Sequence, residues 1–389
     1  MNDVWRIFER EWRALFADRT IRLVMIAVPL FYFLLVGWLY SAGKVTEIPI
    51  AVVDQDRSAL SRELARAFEQ DQSLRVAAVV ASEPEAARLL DAGDVAAAVV
   101  LPPRLEASIK TGREAAVLAL IDGANMMIAN NAMTALNRDI KTVSAAITLR
   151  KLAAAAPSAN GQALYTGIDY RYRLLYNPTL SYLEFMAFGI GAAVLQQVVL
   201  LGVSLAATRE KAAGTWERTL RETPWPALLA GKVLPYVIVG TTMMVVCVTL
   251  LLHGFGVPAH GPLLPFLLTG LAFNVAVGAV GLALSFAFSS QLQATQIAML
   301  IATPSFLLSG FTWPFAAMPP LLAGVASLLP LTYFVDAFRQ VVVKGRGLEA
   351  IGGDLAGLLA ITAVAVVAVW LLAKRQAGAG AAGCTASRG

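Results

Sequence analysis

Charged residues are scarce in this sequence and absent from long parts of it. Only 15% of the 389 residues are Asp, Glu, Lys or Arg, against about 25% in soluble domains. None occurs from Phe185 to Thr208 or from Val233 to Val335. With 58% hydrophobic residues and a mean hydropathy of +0.66, the composition excludes an ordinary soluble domain and indicates a membrane protein.

The residues on which most enzyme chemistry depends are also few. Cys247 lies in an apolar run and Cys384 near the end, so no disulfide framework is predicted. The two histidines, His253 and His260, fall in one predicted turn; they could chelate a metal, but a solvated turn is the favoured interpretation. There is no nucleophile elbow, and Gly231-Lys232 lacks the glycine spacing and the Ser or Thr of a nucleotide-binding loop. The sequence therefore predicts no catalytic residue and no metal site.

The net charge of +5 does not indicate a nucleic-acid partner. The basic excess lies at the ends of the apolar runs, where Lys and Arg are attracted to the anionic cytoplasmic leaflet. We therefore expect the lipid bilayer to be the partner of these residues.

Residues 1–22 are predicted to form a cytoplasmic interfacial helix. Apolar residues from Val4 to Phe16 recur at helical spacing and arginines supply the polar part, as in helices that lie among lipid headgroups. Residues 23–43 then form a charge-free run that is long enough for one bilayer crossing. The small residues 41–43 would suit cleavage of a signal peptide, but the length of the run and the acidic residues before it favour an uncleaved span.

Residues 44–178 predict an α/β domain inserted after the first span. Its helices alternate with strands, the first helix opening at Ser58 as an N-cap and the last running from Asn125 to Ala155. An edge strand at 170–178 is expected to return the chain to the membrane. The other strands are expected at Ile48 to Asp54, Leu74 to Val80, Val95 to Leu101 and Ala116 to Asp122.

Five further spans complete the predicted fold, a polytopic α-helical membrane protein with six transmembrane helices. The second span covers 182–207 and is followed by a charged cytoplasmic loop at 208–228. Residues 374–389, rich in Ala and Gly, are expected to be a disordered cytoplasmic tail. Between these, the region 229–373 holds spans near 231–252, 264–288, 294–313 and 355–373, with an exterior re-entrant segment at 313–352.

The basic residues set the predicted orientation. Six crossings place both termini and the charged loop on one side, which carries most of the Lys and Arg outside the inserted domain. Opposite them lie Arg339, Lys344 and Arg346. Because cytoplasmic loops are enriched in Lys and Arg, both termini are expected in the cytoplasm and the α/β domain outside it.

Three motifs carry a resemblance to a known family. The charged loop at 209–224 resembles the cytoplasmic coupling segment of permease subunits in type-2 ABC exporters. Ser309 to Pro320, together with Leu329 to Arg339, resembles the re-entrant exterior segment of that family. Ile50 to Asp56 is similar to the start of the large exterior domain in its multidrug or efflux subgroup.

The resemblance implies a division of labour in the bacterial inner membrane. A dimer of permeases, identical or paralogous, would bind cytoplasmic ABC ATPase subunits that hold ATP and Mg²⁺, while this chain binds no cofactor and is not an enzyme. Trp216 and Leu220 are expected to anchor the coupling segment in a groove of the ATPase. A periplasmic adaptor is a further partner that the resemblance leaves open. The predicted coupling residues are Arg209, Glu210, Lys211, Gly214, Thr215, Trp216, Glu217, Arg218, Thr223 and Pro224.

The predicted function is the export of a hydrophobic or amphiphilic substrate, with drugs, lipids and polysaccharide carriers all compatible. One alternative is a membrane anchor that presents the exterior domain without transporting anything. An intramembrane enzyme is disfavoured, because the spans lack acids, histidines and a nucleophile. Neutral polar residues in the spans either hydrogen-bond between helices or line a weakly polar substrate path. These residues are Gln196, Gln197, Asn274 and Gln296.

Overall fold

The computed structural model describes residues 2–41, 45–111, 113, 115–155, 176–177 and 181–386. The chain divides into two compact units, one formed by Met1–Ser41 with Leu174–Gly389 and the other by Ala42–Arg173. Most of the edge strand predicted at 170–178 lies outside the described residues.

The described elements are fourteen helices and four strands, besides short 3₁₀ turns. The first unit contains α1, α2 and α7 to α14, and the second contains the remainder. The helices are α1 (Asn2–Ala17), α2 (Arg19–Leu39), α3 (Ala59–Gln70), α4 (Glu83–Ala92), α5 (Leu105–Lys110), α6 (Met126–Ala155), α7 (Tyr182–Ala212), α8 (Trp216–Glu222), α9 (Trp225–Gly254), α10 (Leu263–Ala287), α11 (Gln291–Leu308), α12 (Pro320–Ala326), α13 (Pro330–Val343) and α14 (Gly352–Ala386). The strands are β1 (Ile48–Asp54), β2 (Leu74–Val80), β3 (Ala97–Leu101) and β4 (Leu118–Ile121).

Five helices among the described residues are long and apolar enough to cross a membrane: α2, α7, α9, α10 and the Gly352–Ala377 part of α14. Helices α12 and α13 meet the same test as a pair bent by 85°. This pair lies in the predicted re-entrant segment and raises the number of candidate spans to six. Helix α11 lies where a span was predicted at 294–313 but is not among them, since Gln291, Gln293 and Gln296 make its first two turns polar.

The disordered tail predicted at 374–389 is wrong as far as Ala386, because α14 continues to that residue. Alanine has the highest helix propensity, and extending an existing helix avoids the cost of nucleation. Low sequence complexity therefore does not end a helix that a hydrophobic segment has already nucleated.

Helix α7 lies at the centre of the first unit, where it contacts α2, α9, α10 and α11. Small residues allow these contacts to be close. A Cβ atom at Gly191 would lie 2.2 Å from the ring of Phe33 on α2, so glycine is needed for the two helices to approach.

Helix α1 packs along α9 and is amphipathic in an unusual way. Its buried stripe consists of Ile7, Glu11 and Leu15, so a carboxylate occupies the middle of an apolar row. Asp18 ends α1 and starts α2, since its side chain accepts hydrogen bonds from the backbone amides of Thr20 and Ile21.

The second unit is a small mixed sheet covered on both faces. The strand order is β2-β1-β3-β4, with β1 parallel to both neighbours and β4 antiparallel to β3. Helices α3 and α6 cover one face and α4 the other. The N-cap predicted at Ser58 is confirmed, and Ser61 completes it by a reciprocal hydrogen bond.

Candidate functional site

The charged segment 209–224 is not a free loop in the structure. Its first three charged residues belong to the last turns of α7, which ends at Ala212. A turn at Gly214 leads into α8, and α9 begins at Trp225. The φ of Gly214 is +70°, a conformation that glycine adopts without strain, so this residue permits the reversal between α7 and α8.

Lys211 ties the end of α7 to the end of α10. Its Nζ donates to the carbonyl oxygens of Ser285, Phe286 and Phe288 at 3.0, 2.8 and 2.7 Å. The last carbonyls of a helix have no partner within the helix and carry partial negative charge, so a cation stabilises them. Lys211 therefore caps the C-terminal end of α10.

Glu210 takes part in a buried ion network that the sequence did not predict. Lys232, on α9, has no exposed side-chain surface, and its Nζ donates to Glu11 Oε1 and Glu210 Oε1, both at 2.6 Å. It also donates to the carbonyl of Ala206 at 3.0 Å. One ammonium group thus joins α1, α7 and α9.

Arg209 and Arg10 complete this network. Arg209 donates to the Tyr236 hydroxyl at 2.6 Å and lies 3.4 Å from Glu11 Oε2. Arg10 pairs with Glu210 at 2.5 Å from the more exposed side. Three cations (Arg10, Arg209, Lys232) and two carboxylates (Glu11, Glu210) hold the end of α7 against α1 and α9, and we call them the ion cluster.

Trp216, at the start of α8, faces inward. Its side chain is 7% exposed, meets the Phe286 ring edge-on at 4.8 Å, and donates from Nε1 to Gln376 Oε1 at 2.9 Å. Gln376 in turn donates to the carbonyl of Phe286 at 2.7 Å. The expectation that Trp216 and Leu220 anchor a partner protein is wrong for Trp216, which packs against α10 and α14; Leu220 is partly buried against the same core.

The outward face of α8 is charged. Glu217, Arg218, Arg221 and Glu222 are exposed, with Arg218 and Glu222 at 2.8 Å and Arg221 and Glu217 at 3.7 Å. The pairing with Glu222 raises the pKa of Arg218 above its usual value. Around them, Gly214, Thr215 and Pro224 are exposed, whereas Thr223 is buried.

The four amides proposed for a substrate path do not share one environment. Gln196 and Asn274 are buried, Gln197 is half-buried and Gln296 is exposed. Asn274 donates to Thr241 Oγ1 at 3.3 Å and to the carbonyl of Gly270 at 2.8 Å. These bonds favour the structural role for Asn274.

A cavity of about 220 Å³ lies at the opposite end of α7 from α8. Phenylalanines from α7, from the segment after α11 and from α13 form its walls, together with Arg339 and Lys344. His260 lines the cavity and His253 does not. Among the described residues, no three His, Cys, Asp or Glu side chains are grouped to hold a metal ion.

Residues 19–371 match the family model of the ABC-2 family transporter proteins, from the start of the first span into the last. The chain belongs to the ABC-2 family. Members of this family are transport subunits, and this chain is accordingly a multi-pass permease subunit of an ABC transporter.

Curated ABC-2 relatives align with nearly the whole chain. It is 25% identical over 375 residues to the probable multidrug ABC transporter permease YbhR of Escherichia coli (strain K12), covering 96% of this chain and 98% of YbhR. It is 25% identical over 373 residues to the inner membrane transport permease YhhJ of the same strain, covering 93% of this chain and 94% of YhhJ. The probable multidrug ABC transporter permease YbhS is 28% identical over 219 residues, or 56% and 58% of the two chains.

In this ABC-2 chain the side chains of Arg209, Glu210 and Lys211 pack against the transmembrane bundle. Only the charged side of α8 is left exposed. Sequence reasoning missed both partners, because Lys232 was counted only among the cytoplasmic basic residues and Glu11 only among the acidic residues that argue against a signal peptide. One signal was present, since Glu11 interrupts the apolar stripe of α1. Its partner Lys232 is 221 positions away and has no local signature.

Proposed function

We propose that this ABC-2 permease is the membrane subunit of an ATP-driven exporter. It moves a hydrophobic or amphiphilic substrate outward across the bacterial inner membrane. A separate cytoplasmic ATPase subunit, carrying ATP and Mg²⁺, docks on the outward face of α8 and supplies the energy, and the permease hydrolyses no nucleotide itself.

The observation that carries the proposal is the two-sided character of α8. One side presents four exposed charges, and the other is fastened through Trp216 to α10 and α14. Opposite charges at a protein surface direct association and register more than they add affinity. A partner that engages the charged side and then moves would therefore displace helices that cross the membrane.

The ion cluster extends this connection. Removing solvent from charged groups leaves their attraction poorly screened, so α1, α7 and α9 should move together when α8 is pushed. A rigid displacement of packed helices is one of the established ways to switch a site between two states. We infer that the permease changes access to its substrate by this route.

The orientation follows from the excess of Lys and Arg at the α8 end of the bundle. This end would face the cytoplasm with both termini, and the α/β unit would lie outside. The exposed apolar face of α14, which includes Leu359, Val364 and Leu371, would meet lipid or a second permease copy.

The substrate class rests on the apolar walls of the bundle and on the names of YbhR and YbhS, which describe them as probable multidrug permeases. A hydrophobic or amphiphilic compound fits such walls better than a small, multiply charged ion. A periplasmic adaptor would engage the α/β unit.

Thiol labelling tests the orientation. Glu217→Cys in a Cys247→Ser, Cys384→Ser background should react with a membrane-impermeant maleimide in inside-out vesicles and stay unlabelled in intact cells. Labelling in intact cells would overturn the proposal. Glu69→Cys, an exposed position in the α/β unit, is the matched control and should show the reverse pattern once the outer membrane is permeabilised.

Co-purification tests the docking face. The wild-type permease should retain its ATPase subunit, and Glu217→Arg should lose it while inserting normally, because charge complementarity on α8 is reversed. Glu69→Arg is the control and should retain the ATPase. Equal retention by all three proteins would remove the role assigned to α8, whereas absence of the ATPase from the wild-type preparation would favour the membrane-anchor alternative.

A further inference from the structure

Phenylalanine is the commonest residue lining the cavity at the end of the bundle opposite α8. Phe185 and Phe188 contribute from α7, Phe311 from the segment after α11, and Phe338 from α13. Phe185 stacks on Phe311 with ring centroids 5.2 Å apart, and Phe188 lies 4.6 Å from Phe338. We call this space the phenylalanine chamber.

The chamber has the volume of a small aromatic molecule. It measures about 220 Å³, whereas an engineered apolar cavity of about 150 Å³ is large enough to bind benzene. A fused bicyclic ring is therefore near the upper limit, and a phospholipid chain is too large to be enclosed. Aromatic walls favour a flat ring, which can meet them in stacked or edge-on contacts.

Two cations line the chamber, but one of them is already engaged. Arg339 donates to the carbonyl of Gly310 at 3.3 Å, lies 3.9 Å from Asp336 and sits 5.8 Å from the Phe311 ring. Lys344 is half-buried; its backbone amide donates to the carbonyl of Arg339 at 3.0 Å, but its ammonium group has no hydrogen bond or ion pair among the residues that the structure describes. Glu184, an acidic residue that also lines the chamber, already interacts with another residue.

We propose that the phenylalanine chamber binds small aromatic monoanions, with the ring among the phenylalanines and the carboxylate or sulfonate on Lys344. A half-buried ammonium without a counterion is poorly solvated, and an anionic ligand group would supply the missing partner. An aromatic cation would instead face Lys344 and Arg339 and be repelled.

From its position, we assign the chamber to the path of the exported cargo. Phe185, Phe311 and Arg339 also line a second cavity of about 700 Å³, which contains Asp336 and Asp354. Phe311 fills the space beside Gly189, where a Cβ atom would lie 2.3 Å from its ring. The ring thus separates the two cavities. The assignment of the bound anion as cargo rests on the proposed export function, whereas the binding site itself does not.

Binding to the purified permease in phosphatidylcholine nanodiscs tests the site. The probes are naphthalene-1-carboxylate, its neutral carboxamide and naphthalene-1-methylammonium, measured by calorimetry at pH 8, where an ordinary histidine is neutral. The carboxylate should bind about tenfold more tightly than the carboxamide, as expected for a hydrogen bond to a charged group. The ammonium probe should bind least.

Two substitutions at neighbouring basic residues provide the matched comparison. Lys344→Gln should remove the preference for the carboxylate and leave carboxamide binding unchanged. Arg346→Gln should change neither, because Arg346 is exposed and does not line the chamber. Ala192→Leu, which fills the chamber from α7, should weaken both probes equally.

Equal affinity for the carboxylate and the carboxamide, or identical effects of Lys344→Gln and Arg346→Gln, would overturn the proposal. Loss of carboxylate binding in nanodiscs that contain phosphatidylglycerol would show that Lys344 serves lipid headgroups, and would overturn the assignment to cargo. The assay contains no ATP and no ATPase. A failure of α8 coupling therefore leaves its result unchanged and is distinguished from a failure of the site.

Discussion

The ion cluster makes a quantitative prediction about Glu11. Glu11→Gln keeps the shape of the side chain and removes its charge. Lys232, with no exposed side-chain surface, then keeps a single carboxylate partner, Glu210. The formal charge of the cluster, three cations and two acids, rises from +1 to +2.

The expected cost is large because the group left behind is buried. The side chain of Glu11 is 4% exposed, so water screens little of the change. Removing one partner of a buried ion pair costs about 3–5 kcal/mol. For a folded unit of this size each kcal/mol lowers Tm by about 2–4 °C, so a decrease of roughly 6–20 °C is predicted.

The chain offers its own reporter and its own control. Cys247 is buried, and in a Cys384→Ser background it is the only thiol, so a maleimide dye that fluoresces on reaction reports unfolding. Glu9→Gln, on the same helix, removes an acid that is 48% exposed and pairs with Arg13; it should cost less than about 1 kcal/mol.

A double substitution separates lost charge balance from lost packing. Glu11→Gln with Lys232→Met returns the cluster to +1 and should recover at least half of the lost Tm, since apolar replacements of buried ion pairs are often tolerated. If Glu11→Gln lowers Tm no more than Glu9→Gln, the reasoning about the cluster is refuted.

Two further predictions use the same chain. Trp216→Ala should lower the free energy of unfolding by about 3–5 kcal/mol, because it removes a buried ring. Trp225→Ala, at a residue that is 38% exposed, should lower it by roughly 1 kcal/mol. Equal effects of the two substitutions in the Cys247 assay would contradict the inward placement of Trp216. In the α/β unit, burial opposes ionisation of Asp56, but hydrogen bonds from Ser58 and from backbone amides including that of Glu106 outweigh it and hold the pKa below 3.8. The stabilisation that ionised Asp56 gives is therefore complete above pH 3.8 and is lost as the pH falls through the pKa of Asp56 in the folded state. Amide exchange of Glu106, corrected for its intrinsic pH dependence, should rise only in that acid range, and a rise near neutral pH would count against the assignment.

Much of the fold could be predicted from local patterns. Apolar runs without charge indicate helices α2, α7, α9, α10 and α14, since each run is longer than a buried soluble helix requires. The strands of the α/β unit follow from short apolar segments bounded by turn residues. These features depend on residues that are close together in the sequence, so a single sequence is enough to predict them.

The interior of the candidate site could not be predicted in the same way. Lys232 was counted with the cytoplasmic basic residues because it stands at the very start of the third span, predicted near 231–252. Helix α9 instead begins at Trp225, with proline in its first turn, where a missing amide costs nothing. The extra turns carry Lys232 into the core, where Glu11 from the far end of the chain meets it.

Trp216 illustrates the same limit from the opposite direction. An aromatic residue in a charged segment is typical of a partner-binding surface. Its actual neighbours, Phe286 and Gln376, lie 70 and 160 positions away. Long-range packing therefore decides which residues of the segment are left for a partner.

Efflux from proteoliposomes tests the driving role of α8 most directly. Vesicles that contain the permease with its ATPase subunit should export a fluorescent amphiphile on addition of ATP, and vesicles with the permease alone should not. Gly214→Pro should abolish this efflux, because proline cannot adopt the φ of +70°, whereas Gly214→Ala should retain part of it, since nothing lies within 4 Å of the added Cβ. Nucleotide-independent efflux by the permease alone, or full activity of Gly214→Pro, would contradict the coupling through α8.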